Sequence, residues 1–110
     1  MTVIWHNPRC TKSRQTLALI DDRPVDLRLY LQDTPTAKEI ADVADLLDLP
    51  PAKFIRKGEK IYKELGLKDA DDAVLFAAMA AHPILIERPI VIHNGKAAIG
   101  RPPEDVLALF

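Results

Sequence analysis

The sequence predicts a single α/β domain built on a mixed four-stranded sheet, and three observations lead to this prediction. The first third of the chain alternates strand, helix and strand patterns, which requires a parallel strand pair joined by a crossover helix. A helical block follows at about 35–82. The last part returns to an apolar–polar alternation of period two and then to a helical pattern. The expected order is therefore βαβ, a helical insertion, and ββα.

The first three elements are separated by residues that interrupt regular structure. "TVIW" (Thr2–Trp5) is a short β-branched and aromatic run, and the pair Asn7-Pro8 ends it. A helix is expected from Cys10 to about Asp22, stopped before Pro24. "VDLRLYL" (Val25–Leu31) alternates apolar and polar residues and is expected to be the second strand.

The insertion is expected to be entirely helical. Thr36-Ala37-Lys38-Glu39 forms a capping box that starts a helix with an apolar face, and Pro50-Pro51 ends it. A short helix holding Phe54 and Ile55 is expected next. Another is expected to run through Tyr62 and stop at Gly66, followed by a third over about Asp72–Ala81.

The C-terminal part is expected to form a hairpin and a closing helix. "PIVI" and "KAAI" flank Asn94-Gly95, the strongest short-range hairpin signal. A final helix is expected to start near Pro103, where proline is tolerated in the first turn. This layout is that of a thioredoxin- or glutaredoxin-like sheet carrying a helical insertion, with residues 1–110 as one domain.

Composition excludes several classes of function. The chain has 110 residues, a formal net charge of -1 and one cysteine. A near-neutral charge gives no bulk attraction to nucleic acid or to anionic membranes. No apolar run reaches the roughly 18 residues of a membrane span, and no signal-peptide pattern opens the chain. One cysteine permits no internal disulfide, and no Cys/His cluster has zinc spacing. We therefore expect a cytoplasmic, monomeric protein with no bound cofactor and no metal.

The single cysteine lies in "WHNPRCTKSR" (Trp5–Arg14), at the predicted start of the first helix. A sulfur at that position faces unpaired backbone N–H groups, which favour the thiolate and lower the cysteine pKa. The Ser13 hydroxyl is expected to donate to this sulfur, and His6 to supply a second donor or a positive charge. A lone cysteine is more often a small buried hydrophobe, but the polar neighbours of Cys10 favour a reactive nucleophile.

The same stretch also resembles a known family. "HNPRCTKSR" after an N-terminal strand is similar to the active-site segment of the glutaredoxin-coupled arsenate reductases, which have a thioredoxin-like fold. The likeness continues through "FIRK" (Phe54–Lys57), "YKELGL" (Tyr62–Leu67), "HPILIERPIVI" (His82–Ile92) and "IGRPPE" (Ile99–Glu104). Because the chain ends one short helix after that last motif, we expect it to fall in the short arsenate-reductase-like branch of the family.

The resemblance implies a role for each matching residue. Cys10 is the nucleophile that attacks arsenate, with His6 and Ser13 keeping the sulfur deprotonated. Arg56, Arg88 and Arg101 bind the oxyanion, as bidentate guanidinium groups do. Pro89 is the cis-proline that this fold places beside the cysteine.

A single cysteine also requires an external reductant. Cys10 has no partner within the chain, so an arsenylated or oxidised sulfur must be resolved by another thiol. Glutathione is the expected reductant, with glutaredoxin as a protein partner.

Two alternatives remain from the sequence. One is a glutathione-dependent thiol oxidoreductase, in which the arginines bind the carboxylates of glutathione. The other is an Spx-type regulator that binds RNA polymerase; such proteins typically carry Cys-x-x-Cys, where this chain has Cys-x-x-Ser ending at Ser13.

Overall fold

The computed structural model describes residues 1–110, and its four strands form one mixed sheet in the order β2-β1-β3-β4. Strand β1 pairs in parallel with β2 and antiparallel with β3, and β3 pairs antiparallel with β4. The strands are β1 (Thr2–Trp5), β2 (Asp26–Arg28), β3 (Ile90–His93) and β4 (Lys96–Ile99). The predicted mixed four-stranded sheet is confirmed.

The chain forms two compact units. The first unit comprises Met1–Asp33 and Arg88–Phe110, and therefore holds the whole sheet. The second unit is the intervening segment Thr34–Glu87, which contains the helical block expected at about 35–82.

The core of the first unit lies between the sheet and two helices. Helix α1 (Thr11–Ile20) is the crossover between β1 and β2, and a 3-10 helix spans Pro103–Leu109. Ile4, Ile20, Val91 and Val106 form a fully buried cluster in this unit. Burying one such aliphatic side chain contributes about 1.5–3 kcal/mol, so this cluster holds α1 against the strands.

Strand β2 is shorter than the alternation of "VDLRLYL" predicts. It pairs only with β1, which ends at Trp5, and the last ladder bond runs from the His6 N–H to the Arg28 carbonyl. The chain then turns, because the amides of Gln32 and Asp33 both donate to the Leu29 carbonyl. The predicted strand over Val25–Leu31 is therefore wrong beyond Arg28, since β1 offers no further partner residues.

The β3–β4 hairpin has the predicted position and turn. Asn94 and Gly95 both have positive φ, 47° and 79°, as the two central residues of a type I′ turn require. The turn fixes the register that pairs His93 with Lys96 and Ile90 with Ile99. The far end of β4 is thereby aligned with the start of β3.

The second unit is helical. Its α-helices are α2 (Ala37–Leu47), α3 (Lys60–Glu64) and α4 (Asp72–Ala81), and short 3-10 turns cover Pro51–Lys53, Leu67–Asp69 and Pro83–Leu85. Both hydrogen bonds of the predicted capping box at Thr36 are present. No helix of the structure has the length and apolar character needed to cross a bilayer.

One local prediction in this unit is wrong. Phe54 and Ile55 were expected inside a short helix, but that helix ends at Lys53, and Ile55 forms an antiparallel β-bridge with Ile86. Both side chains are buried, Phe54 at 1% and Ile55 at 6% exposure. Long-range pairing outweighs the local helical pattern here.

Candidate active site

Cys10 is the N-cap residue of α1, in an extended conformation with φ -93° and ψ 123°. A tight turn delivers it there: the Cys10 N–H donates to the Asn7 carbonyl at 3.0 Å, and the Arg9 N–H donates to Asn7 Oδ1 at 3.0 Å. The side chain of Cys10 is half-buried and forms no disulfide. The loop between β1 and α1 thus presents the sulfur at the start of the helix, as the sequence predicts.

His6 and Ser13 form a buried pair with each other. Ser13 Oγ lies 2.7 Å from His6 Nδ1 and accepts a hydrogen bond from the Asn7 N–H at 3.0 Å. Ser13 is fully buried and His6 is 5% exposed. The pair therefore joins the end of β1 to the first turn of α1 and fixes the loop that carries Cys10.

This arrangement corrects the expected roles of both residues. The Ser13 hydroxyl was expected to donate to the Cys10 sulfur, but it is committed to His6 and Asn7. His6 was expected to offer a donor or a positive charge. Instead, burial first and the charge of Arg14 second lower the pKa of His6, so the imidazole is held neutral. Both side chains position the loop, and Ser13 acts on the sulfur through its backbone N–H.

Arg14 holds the same loop in place. Its guanidinium donates to the Pro8 carbonyl at 2.9 Å and to Thr11 Oγ1 at 3.3 Å. Five donors in a rigid fork allow one arginine to bridge the loop and the helix. No sequence pattern distinguishes this arginine from a solvated surface residue.

Backbone amides and arginines together favour the thiolate of Cys10. Burial raises the pKa of the thiol, but the Ser13 N–H, the charge of Arg88, the Lys12 N–H and the Arg101 guanidinium outweigh it, so the pKa is lowered. The Cys10 side chain forms no capping hydrogen bond of standard geometry with the first turn of α1. The helix start and the two arginines therefore stabilise the thiolate form of Cys10, as expected at a helix N-terminus.

Arg88 precedes β3 and Arg101 follows β4, so both residues act on Cys10 from the open end of the β3–β4 hairpin. Arg101 Nη1 donates to the Arg88 carbonyl at 3.1 Å, which ties the two residues together. The Arg88–Pro89 and Arg101–Pro102 peptide bonds are both cis. The first unit thus gathers a thiolate-favouring cysteine and two permanently charged guanidinium groups in one place.

Gly100 and Thr16 support this arrangement and were missed from the sequence. The Gly100 N–H donates to the Pro89 carbonyl at 2.9 Å, directly before Arg101. A Cβ on Gly100 would overlap the Thr16 side chain and lie 2.9 Å from Pro89 Cγ. The glycine before the arginine in "IGRPPE" is the one sequence signal for this close approach. The residue that it approaches, Thr16, is distant in sequence and cannot be identified from that signal.

Arg56 belongs to the second unit. Its guanidinium forms an ion pair with Glu59 at 3.1 Å and donates to the Ile84 carbonyl at 3.2 Å. Its backbone N–H donates to the Leu85 carbonyl at 2.7 Å. Arg56 is therefore held firmly within its own unit, and its role at Cys10 stays a prediction.

The chain presents no cluster of side chains with metal-binding geometry. No group of three or more His, Cys, Asp or Glu side chains is placed to hold a metal ion. The groups gathered around Cys10 are instead a thiol, backbone amides and guanidinium groups, which suit an anionic ligand.

Comparisons with known proteins agree with the fold and cover almost the whole chain. The model of the ArsC family matches residues 5–109. An arsenate reductase from Neisseria meningitidis serogroup A is 44% identical over 112 residues, which cover 97% of this chain and 96% of that protein. One from Haemophilus influenzae is 43% identical, with 98% and 97% covered.

The structural comparison gives the same result. The structure of an arsenate reductase from Vibrio cholerae has a TM-score of 0.96 and 46% identity, covering 99% of this chain and 97% of that one. The predicted thioredoxin-like fold is confirmed by this match and by the strand order. Because the family model spans nearly all of the residues and full-length relatives exceed 40% identity, the chain belongs to the ArsC family.

Proposed function

We propose that this protein is an arsenate reductase that uses Cys10 as its nucleophile. The observation that carries the proposal is the position of Cys10 at the start of α1, where backbone amides together with Arg88 and Arg101 lower its pKa. A thiolate beside two guanidinium groups is suited to attack a tetrahedral oxyanion. The arsenate reductases from Neisseria meningitidis and Haemophilus influenzae support this assignment, because they are 44% and 43% identical in sequence to this chain over nearly their whole length.

Binding must overcome the repulsion between a thiolate and an anionic substrate. Guanidinium groups pair bidentately with oxyanions and keep their charge at every working pH. Arg88 and Arg101 already act on the sulfur, so an arsenate held between them lies within reach of it. The same donors stabilise the charge that builds on the arsenate oxygens as the sulfur approaches.

The first chemical step forms a sulfur–arsenic bond. The Cys10 thiolate attacks the arsenic of the dihydrogen arsenate monoanion, and one hydroxyl leaves as water after taking a proton from solvent. The product is a thiolate–arsenate adduct with a single negative charge, and arsenic is still pentavalent. Only the cysteine sulfur changes its bonding partner in the protein.

The second step is the reduction, and it uses glutathione. A glutathione thiolate attacks the Cys10 sulfur, a disulfide forms, and the electron pair of the sulfur–arsenic bond goes to arsenic. Arsenic leaves trivalent, as arsenite. Because Cys10 is the only cysteine, a second external thiol must release it from the mixed disulfide, and glutaredoxin is the proposed partner. Such thiols are kept reduced in the cytoplasm, where we place the reaction.

His6 and Ser13 are proposed as positioning residues in this cycle. Their hydrogen bond and the Asn7 N–H fix the loop geometry that presents the sulfur to the helix start. Because His6 is neutral, the positive charge that favours the thiolate comes from the guanidinium groups. Their substitution is expected to lower turnover through the position of Cys10.

The test is arsenate-dependent NADPH oxidation, coupled through glutathione, glutaredoxin and glutathione reductase. The wild-type protein is expected to turn over, and Cys10→Ser to be inactive. Arg88→Ala and Arg101→Ala are expected to raise the KM for arsenate by about tenfold or more, because each removes a charge-assisted contact. Arg56→Ala in the same assay tests the third arginine that the resemblance assigns.

Two results would contradict the proposal. Turnover retained by Cys10→Ser would exclude the sulfur as nucleophile. No arsenate turnover, together with steady reduction of a glutathionylated peptide, would favour the thiol oxidoreductase alternative.

A further inference from the structure

A groove of about 420 Å³ runs along α1 beside the site. One wall is a single face of α1, with Lys12, Gln15 and Leu19, and the other is formed by Pro102, Pro103 and Glu104. Its volume is in the range of small-molecule sites. All of the lining belongs to the first unit, so the groove is part of one compact body.

Two lining residues of the groove, Lys12 and Pro102, belong to or directly follow residues that act on the reactive sulfur. Lys12 is two residues after Cys10, and its backbone N–H is one of the groups that lower the cysteine pKa. Pro102 directly follows Arg101, whose guanidinium also acts on the sulfur. A molecule that fills the groove therefore lies along α1, beside the residues that act on Cys10.

The lining of the groove combines two opposite charges with apolar side chains. Lys12 on one wall and Glu104 on the other form no ion pair, either with each other or elsewhere. Leu19, which is 40% exposed, adds apolar surface to the same lining. The site thus suits a ligand that carries both an anionic and a cationic group on an apolar frame.

We propose that this groove binds glutathione and directs its thiol to Cys10. The inference rests on the proposed function and adds to it the place where the reductant is held. Glutathione has two carboxylates, one ammonium group and a central thiol. Lys12 binds a carboxylate, Glu104 binds the ammonium group, and Gln15 hydrogen-bonds a peptide group of the ligand.

A second cavity beside the site is a poorer match. It has a volume of about 290 Å³, and its lining includes Pro8, Arg9, Leu29 and Leu31. It presents the cation of Arg9 but no carboxylate. The ammonium group of glutathione would be left there without a counter-charge. Arg9 therefore provides the matched control for Lys12, since each is an exposed cation within two residues of Cys10.

The test is a titration of the full-length protein with S-methylglutathione, which cannot react with Cys10. Amide chemical shifts are expected to change at Gln15, Leu19 and Glu104. Lys12→Glu and Glu104→Lys are each expected to weaken binding by about tenfold or more, because each replaces an attractive contact with a repulsive one. Arg9→Glu is expected to bind as the wild type does. Shift changes confined to the cavity with Leu29 and Leu31, or equal weakening by Arg9→Glu, would overturn the proposal.

The binding measurement needs no arsenate, so its outcome is separate from that of the proposed function. In the coupled assay, Lys12→Glu and Glu104→Lys are expected to raise the KM for glutathione by about tenfold. An unchanged KM for glutathione in both variants would overturn the groove assignment while leaving arsenate reduction intact. Failure of arsenate turnover in the wild type, with S-methylglutathione still bound in the groove, would overturn only the proposed substrate.

Discussion

Replacing Gly100 by alanine is the sharpest structural perturbation that the site offers. The new Cβ would overlap Thr16 Oγ1 and lie 3.0 Å from Thr16 Cγ2 and 2.9 Å from Pro89 Cγ. Neither neighbour can move freely. Thr16 is fully buried and donates to the Lys12 carbonyl at 2.8 Å, and Pro89 is a buried ring between Arg88 and β3.

The expected effect combines two opposing contributions. Overpacking a buried site costs about 1–3 kcal/mol of stability. Alanine also restricts the unfolded chain, which stabilises the native state by about 0.4–1 kcal/mol where the backbone permits it. Gly100 has no positive φ, so both contributions apply. The net loss of unfolding free energy is between about 0 and 2.6 kcal/mol, and the overlap with Thr16 Oγ1 places it toward the upper end; the midpoint of thermal unfolding falls by about 4 °C for each kcal/mol.

Gly58→Ala is the matched control for this prediction. Nothing lies within 4 Å of a Cβ on Gly58, and its φ is not positive. Denaturant unfolding is expected to show Gly58→Ala equal to or above the wild type and Gly100→Ala below it. The double variant Thr16→Ala/Gly100→Ala should lose less stability than the sum of its single changes. Equal stability of the two glycine variants would refute the packing argument.

Three further predictions concern the loop that carries Cys10. Ser13→Ala leaves His6 Nδ1 and the Asn7 N–H without their partner, so urea unfolding is expected to show a loss of about 1–3 kcal/mol. The pKa of His6 is lowered in the folded protein, so below about pH 6.5 the unfolded chain binds a proton at this residue more readily than the folded chain does. The free energy of unfolding should therefore fall as the pH drops through that value. The fall should be less steep in His6→Gln. Arg14→Ala removes the charge that lowers the pKa of His6, so an NMR titration of the imidazole should give a higher value than in the wild type; no change would contradict the assigned cause.

Local sequence signals predicted the elements that local chemistry determines. The Asn94-Gly95 turn and the Thr36–Glu39 capping box depend on residues adjacent in sequence, and both formed as expected. The position of Cys10 at the start of α1 also follows from the short loop after a strand. These features require no knowledge of distant contacts.

Three features that depend on particular long-range partners were not predicted correctly. The strand over Val25–Leu31 was cut short because β1 ends at Trp5. The Ser13 hydroxyl was assigned to the sulfur, but the imidazole of His6 at the end of β1 takes it. The close approach of Gly100 to Thr16 joins two parts of the chain far apart in sequence, so no periodicity or spacing reveals it.

The pKa of Cys10 tests the central claim most directly, and the single cysteine makes the measurement unambiguous. The rate of alkylation by neutral iodoacetamide, followed against pH, reports the thiolate fraction of this one residue. The wild type is expected to show a midpoint below that of a free cysteine, and both Arg88→Ala and Arg101→Ala are expected to move it upward. A wild-type midpoint at the free-cysteine value, unchanged in both arginine variants, would contradict a thiolate held by the helix start and the two guanidinium groups.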